Sequence, residues 1–264
     1  MTLVVCATPI GNLEDVTLRV LAELRAADVV LCEDTRHTRG LLARHGIEGV
    51  RLLSYHEHNE AARTDEFLPR LVAGERIALV SDAGMPGVSD PGARIVRAAL
   101  DAGVPVTGLP GPSAVETALV ASGFAGGAFQ FLGFLPRGAA ALARLWPTLS
   151  LVSVAFESPQ RLPATLASLA AFDAARPVAV CRELTKKFEE VVRGGSQVVA
   201  AHFAQPPKGE ITLVIGAGEK EPDEAAALQA VAELVDAGIP RKRAAEIVSS
   251  LTDVSRNALY RGSL

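Results

Sequence analysis

Two stretches of this 264-residue chain crowd glycine and proline against polar side chains, and a third crowds ionisable groups together. The first is Ser81-Asp82-Ala83-Gly84-Met85-Pro86-Gly87-Val88-Ser89-Asp90-Pro91-Gly92, and the second is Leu109-Pro110-Gly111-Pro112-Ser113. Glycine lets a backbone approach a ligand closely and adopt positive φ. Proline fixes φ and lowers the entropy cost of holding an irregular loop. Such loops can offer N–H and C=O groups to a polar ligand. Each alone also reads as a plain turn, with Pro91 opening a helix; two at one sheet edge favour a ligand cradle. The third stretch, Glu33-Asp34-Thr35-Arg36-His37-Thr38, gathers two acids, a guanidinium and an imidazole. That set can move protons and grip an anion, and its acids can equally cap a helix beginning near Thr38.

These loops need a frame that brings them to one edge. Short β-branched runs at 3–7, 29–32, 51–54, 77–80 and 105–108 alternate with helical patterns at 17–26, 38–45, 60–73 and 92–102. That rhythm predicts a mostly parallel α/β sheet. Open α/β sheets bind ligands beyond the carboxyl ends of their strands, which is where all three stretches lie, together with Thr8-Pro9-Ile10-Gly11-Asn12-Leu13. A second α/β region follows. Helices are expected at 113–121, 139–145 and 159–169, and strands at 129–132, 151–156, 178–181, 188–192 and 211–215, with hairpins that make it a mixed sheet. A polar linker at 216–223 leads to a tail of three helices at 224–236, 241–250 and 255–260. The expected domains are therefore 1–110, 111–217 and 224–264.

Several chemistries are disfavoured. A dinucleotide fingerprint needs G-x-G-x-x-G after the first strand, where only Gly11 stands, and no GxxxxGK[ST] occurs. No Cys or further His lies near His56 and His58, so no metal is expected. The net charge of −4 excludes a global basic field, so a nucleic-acid partner would need a local basic patch. Cys6, Cys32 and Cys181 show no paired spacing, which points to a reducing, cytoplasmic compartment. The N-terminus reads as a first strand rather than a secretion signal, and no window approaches the ~18 apolar residues of a membrane span.

The ordered set of motifs resembles the tetrapyrrole-methylase-like superfamily, in particular its branch that methylates small-subunit ribosomal RNA. Besides the loops above, starting at Ala7 and running through Ala114, the resemblance is carried by Phe131-Leu132-Gly133-Phe134-Leu135-Pro136, Glu157-Ser158-Pro159-Gln160-Arg161, Arg182-Glu183-Leu184-Thr185-Lys186, Lys208-Gly209-Glu210 and the terminal Asn257-Ala258-Leu259-Tyr260. It implies two α/β domains with a cofactor cleft between them, a homodimer, and methyl transfer from S-adenosyl-L-methionine to the ribose 2′-oxygen of a cytidine in 16S rRNA. Pro9, Ile10, Asp82, Met85, Ser113, Ala114, Phe156, Leu184 and Glu210 are then expected to line the cofactor site. Asp34 or Glu33 is expected to transfer or orient a proton, and Arg36, His37, Arg161, Lys186 and Lys208 to contact RNA. Two positions depart from the family pattern: Arg137-Gly138-Ala139-Ala140-Ala141 is nearly free of charge, and Met85 replaces a small polar residue. Two other readings stay open: a tetrapyrrole C-methyltransferase, and a binding module that docks nucleic acid through the helical tail.

Overall fold

The computed structural model describes residues 2–218, 224–252 and 254–263; the last five residues of the expected linker, 219–223, lie outside the described residues, as do positions 1, 253 and 264. The chain forms two compact units, Met1–Gly218 and Glu219–Leu264.

The first unit contains two five-stranded sheets. Strands β1 (Thr2–Cys6), β2 (Val29–Cys32), β3 (Leu52–Ser54), β4 (Arg76–Val80) and β5 (Val106–Leu109) pair in the order β3-β2-β4-β1-β5. Every pairing is parallel. A parallel sheet is covered on both faces, so its strands read as unbroken apolar runs. Along β1, Leu3 and Val5 join Phe67, Leu71 and Ile95 on one face, while Val4 and Cys6 join Val20, Leu24 and Leu41 on the other. Helices α1 (Leu18–Ala26), α2 (Thr35–Arg44), α3 (Glu60–Val72) and α4 (Ala93–Asp101) supply those partners.

After α5 (Ala114–Ser122), the second sheet contains β6 (Phe129–Phe134), β7 (Val152–Glu157), β8 (Pro177–Arg182), β9 (Glu190–Gly195) and β10 (Ile211–Ile215). Its order is β6-β7-β10-β8-β9. Only β6 and β7 run parallel; the other pairs are antiparallel, giving the mixed sheet the hairpins suggest. Helices α6 (Ala139–Leu145), α7 (Leu162–Phe172) and α8 (Ser196–His202) cover one face over a core that includes Trp146, Leu166, Val180 and Leu213. Helix α5 covers the other face with Val115, Ala118 and Leu119.

The second unit packs α9 (Glu224–Asp236), α10 (Arg241–Leu251) and α11 (Arg256–Gly262) around Val231, Ala244, Ala245, Val248 and Leu259. No helix among the described residues is long and apolar enough to cross a membrane.

The structure corrects several boundaries. Helix α2 begins three residues earlier than expected, at Thr35, directly after Asp34, which caps it as one of the two acids offered for that role. Helix α7 begins at Leu162 with proline in its first turn, not at Pro159. Strand β9 spans Glu190–Gly195, two to three residues beyond the expected run, because the exposed Phe188 lies ahead of it. Helix α8, seven residues between β9 and β10, is a further element beyond those expected.

Candidate functional site

Three loops at the carboxyl edge of the first sheet are laced together by backbone. Thr8 N–H donates to Gly84 O (2.8 Å) and Gly84 N–H returns to Thr8 O (3.0 Å). The Thr8 hydroxyl donates to Ser81 O at 3.0 Å. Asp34 N–H donates to the Asp82 carboxylate at 3.0 Å. Asp82 is therefore a brace between the loops after β2 and β4.

Across from this edge, the second sheet contributes the loop after β8. Its backbone is strained, with Glu183 at φ 52° and Thr185 at φ 65°, conformations that cost side-chain-bearing residues energy and persist only where the surroundings enforce them. The enforcement is visible. The Glu183 carboxylate accepts Glu210 N–H at 2.9 Å and Lys186 Nζ at 3.0 Å, and these contacts hold it below the ordinary carboxylate range. Lys186 also donates to the Glu210 carboxylate at 2.9 Å. This loop touches the first sheet's edge where Asn12 N–H donates to the Thr185 hydroxyl at 3.1 Å. Gly11 is required there, since a β-carbon would lie 2.5 Å from Lys186 Cγ and 2.8 Å from Thr185 Oγ1.

Between the two sheets lies a cleft of about 930 Å³. It fits the size range of small-molecule sites. Ile10, Met85, Ser113, Ala114, Phe156, Leu184 and Glu210, all expected at the cofactor site, line it. Pro9 and Asp82 do not line it: Pro9 is buried behind it, and Asp82 is occupied as the brace. The walls are apolar and aromatic, with Phe131 packed edge to face on Phe156 at 5.0 Å. Carboxylates of Asp90, Glu116 and Glu210 punctuate them. A cationic, partly aromatic ligand with polar ends suits such a surface.

The acids differ sharply in character. Asp34 lies outside the cleft lining. Its carboxylate accepts Arg36 N–H at 2.8 Å as the cap of α2 and binds the Arg36 guanidinium at 2.7 Å. Those bonds hold it well below the usual carboxylate range. Glu33 moves the other way, raised by burial and then by the neighbouring Asp82 charge. Asp90, which lines the cleft, is pushed up to about 6 by burial and by the charges of Glu33 and Asp82, with Ser81 opposing in part. A carboxyl poised there can hold or release a proton near neutral pH. Sequence reasoning did not single out Asp90; its one local signal was membership of the Gly/Pro-rich loop. His56 Nδ1 is buried without a hydrogen-bond partner among the described residues.

The expected RNA-contacting residues are scattered. Arg36 and His37 are exposed on the first turn of α2, and Lys208 is exposed before β10. Arg161 is paired with Glu157 at 2.5 Å and donates to Leu135 O at 3.1 Å. Lys186 is committed to Glu183 and Glu210. Among the described residues, no group of three His, Cys, Asp or Glu could hold a metal ion.

Comparisons with known proteins agree with this arrangement. Residues 2–200 match the family of tetrapyrrole (corrin/porphyrin) methylases. The uroporphyrin-III C-methyltransferase of Thermus thermophilus superimposes with a TM-score of 0.57 at 22% identity, covering 81% of this chain and 94% of its own. A diphthine synthase superimposes with a TM-score of 0.62 at 14% identity, covering 82% and 90%. Both likenesses concern the fold alone. Sequence relatives are much nearer. The ribosomal RNA small subunit methyltransferase I of Mesorhizobium japonicum is 44% identical over 97% of this chain and 88% of its own length. The protein of the same name from Thermotoga maritima is 45% identical over 82% of this chain and 99% of its own. The chain belongs to the tetrapyrrole methylase family and, within it, to the ribosomal RNA small subunit methyltransferase I family.

Proposed function

We propose that this chain transfers a methyl group from S-adenosyl-L-methionine to the ribose 2′-oxygen of a cytidine in 16S rRNA of the small ribosomal subunit, acting as a homodimer. The observation that carries the reading is the cleft of about 930 Å³, in which apolar walls alternate with carboxylates beside the poised Asp90. The family supplies the reaction class.

The residues present fit the cofactor. Ile10, Met85, Phe156 and Leu184 offer apolar surface for an adenosine, and Ser113, Ala114 and Glu210 stand where polar ends need partners. When bound, S-adenosylmethionine would supply a methyl on a cationic sulfur that leaves as a neutral thioether when a nucleophile attacks the methyl in line. The protein's part is alignment, which supplies much of the rate. A ribose hydroxyl is a poor nucleophile at neutral pH, so a proton acceptor is needed. Asp90 takes that role, with Glu33 behind it as the group that tunes it. Asp34 orients: it caps α2 and fixes Arg36, which together with the exposed His37 and Lys208 is available to RNA phosphates, while Arg161 stays tied to Glu157. In this reading the two sheets serve as domains 1–110 and 111–217, with 224–264 as an extension.

The test is a labelled-methyl assay. Purified enzyme is incubated with labelled S-adenosylmethionine and small subunits from a strain lacking the modification, and the label is mapped. Label on one cytidine ribose is the expected result. Label on a tetrapyrrole, or none on rRNA, would falsify the reading.

A further inference from the structure

Phe134 is 62% exposed, an unusual state for a phenylalanine in a strand. It lines the cleft because β6 is irregular. Residues alternate faces along a strand. Phe129 and Phe131 line the cleft, while Leu132 packs into the helix-covered core on the opposite face. Simple alternation would send Phe134 after Leu132 into that core. The pairing of β6 with β7 instead shifts register between Phe131 and Phe134, so that Phe131 faces Val154 and Phe134 faces Phe156. Gly133 is the extra residue, at φ 65°, a conformation that favours glycine. Bulges of this kind re-aim side chains next to active sites. Here the bulge turns Phe134 out to the cleft and returns Leu135 to the core.

The outcome is an aromatic ledge. Phe134 packs edge to face on Phe156 at 5.5 Å, and Phe156 in turn packs on Phe131 at 5.0 Å. One ring face of the pair is anchored and the outer ring stays open. The ledge adjoins the acid-bearing loop: a β-carbon at Gly133 would lie 3.5 Å from the hydroxyl of Ser89, the residue before Asp90.

We propose that Phe134, braced by Phe156, is the stacking platform for the nucleobase of the target nucleotide, splayed out of its RNA strand. This rests on the RNA methyl-transfer reading above. An enzyme that acts on a nucleotide within folded RNA must take it out of its stack, and an unstacked base is recognised by aromatic faces. A base against Phe134 would bring its own ribose toward Asp90, the group assigned to accept the proton. The exposed ring, otherwise a cost in water, becomes covered only when substrate is present.

The experiment uses the full-length chain and compares Phe134→Ala, Phe134→Trp and, as a control away from the cleft, Phe172→Ala. Base–aromatic stacking is worth ~1–3 kcal/mol per base, or roughly five- to 150-fold. Phe134→Ala is expected to raise KM for small subunits by about tenfold or more. Affinity for S-adenosylhomocysteine should stay within about twofold of wild type, and Phe134→Trp should restore KM, as no merely structural role requires. A second readout does not depend on turnover: a short RNA carrying a fluorescent cytidine analogue, mixed with enzyme and S-adenosylhomocysteine, should be quenched by wild type and Phe134→Trp but not by Phe134→Ala. Parallel loss of S-adenosylhomocysteine affinity would assign Phe134 to the cofactor instead. Unchanged quenching in Phe134→Ala would overturn the proposal even if methylation of rRNA is confirmed. If wild type quenches the analogue but methylates no rRNA, the platform stands and the reaction assignment fails.

Discussion

At the scale of single residues, proton affinity separates the acids at the sheet edge. Asp34, held by Arg36, is too weak a base to draw a proton from a hydroxyl, while Asp90 is poised near 6. Turnover is therefore expected to rise as pH passes through about 6, and Asp90→Asn to lose both that limb and at least ~100-fold in kcat. A kcat in Asp90→Asn within threefold of wild type would remove Asp90 from the reaction. The same group affects stability with a defined sign. Its folded-state affinity for a proton exceeds that of the unfolded chain, so the folded state loses relative stability as pH rises from the ordinary aspartate range through about 6. Asp90→Asn removes that penalty. Because the carboxyl is only partly buried and screened by solvent, a gain in Tm of about 2–4 °C is expected at pH ~8 and little at pH ~4. The three cysteines are inert by contrast. All are free and buried, and burial pushes Cys6 up to about 12 and Cys181 to about 11. The native protein should resist thiol labelling until it is unfolded, and rapid labelling in buffer would contradict the core packing.

At the scale of elements, caps and bulges fix where side chains point. Asp34 is the N-cap of α2, so Asp34→Ala should cost about 1 kcal/mol. Asp34→Asn preserves the cap and removes the negative charge that faces Arg36. If Asp34 orients rather than reacts, Asp34→Asn keeps most of the turnover and Asp34→Ala loses more, read by kcat and thermal melts together. Equal inactivation by both would restore Asp34 as a reacting group. Gly133 is the corresponding device in β6. A β-carbon there meets only ordinary contact at 3.5 Å, so the penalty of Gly133→Ala is conformational, about 1–2 kcal/mol at its positive φ. Relief of that strain would withdraw Phe134 from the cleft. Gly133→Ala is expected to raise KM for small subunits as Phe134→Ala does, and an unaltered KM would count against the bulge as the aiming device.

At the scale of the whole molecule, the two units have separate cores. The Thermotoga maritima relative matches this chain along nearly all of its own length without extending over the remainder. A chain ended at Gly218 is therefore expected to fold cooperatively and to bind S-adenosylhomocysteine with unchanged affinity, checked by thermal melts and calorimetry. Aggregation or loss of that affinity would show that the helical extension is needed for the site. Much of the first sheet was legible in the sequence, because β1, β2 and β4 are buried apolar runs, each followed by a loop with glycine, proline or charge. The four loops at its edge announced themselves the same way. The second sheet was legible only as a set of strands. Its order depends on antiparallel partners distant in sequence, such as β7 and β10, and such pairing leaves no local mark. Asp90 and Phe134 were invisible for related reasons: one owes its proton affinity to charges brought by other loops, the other its direction to a single unpaired glycine.

The order of the second sheet also imposes a timetable on synthesis. Strand β10 sits between β7 and β8, yet it is the last strand made. Until residues 211–215 leave the ribosome, β7 and β8 have no neighbour to join them, although the first sheet is already complete. Gly209, Glu210, Ile211 and Thr212 at the base of the cleft arrive with that same strand. The growing chain thus carries a finished first sheet from Leu109 until Ile215 is made, with no place for a cofactor. It becomes an enzyme in one late step, when its central strand is threaded between two others that were waiting for it.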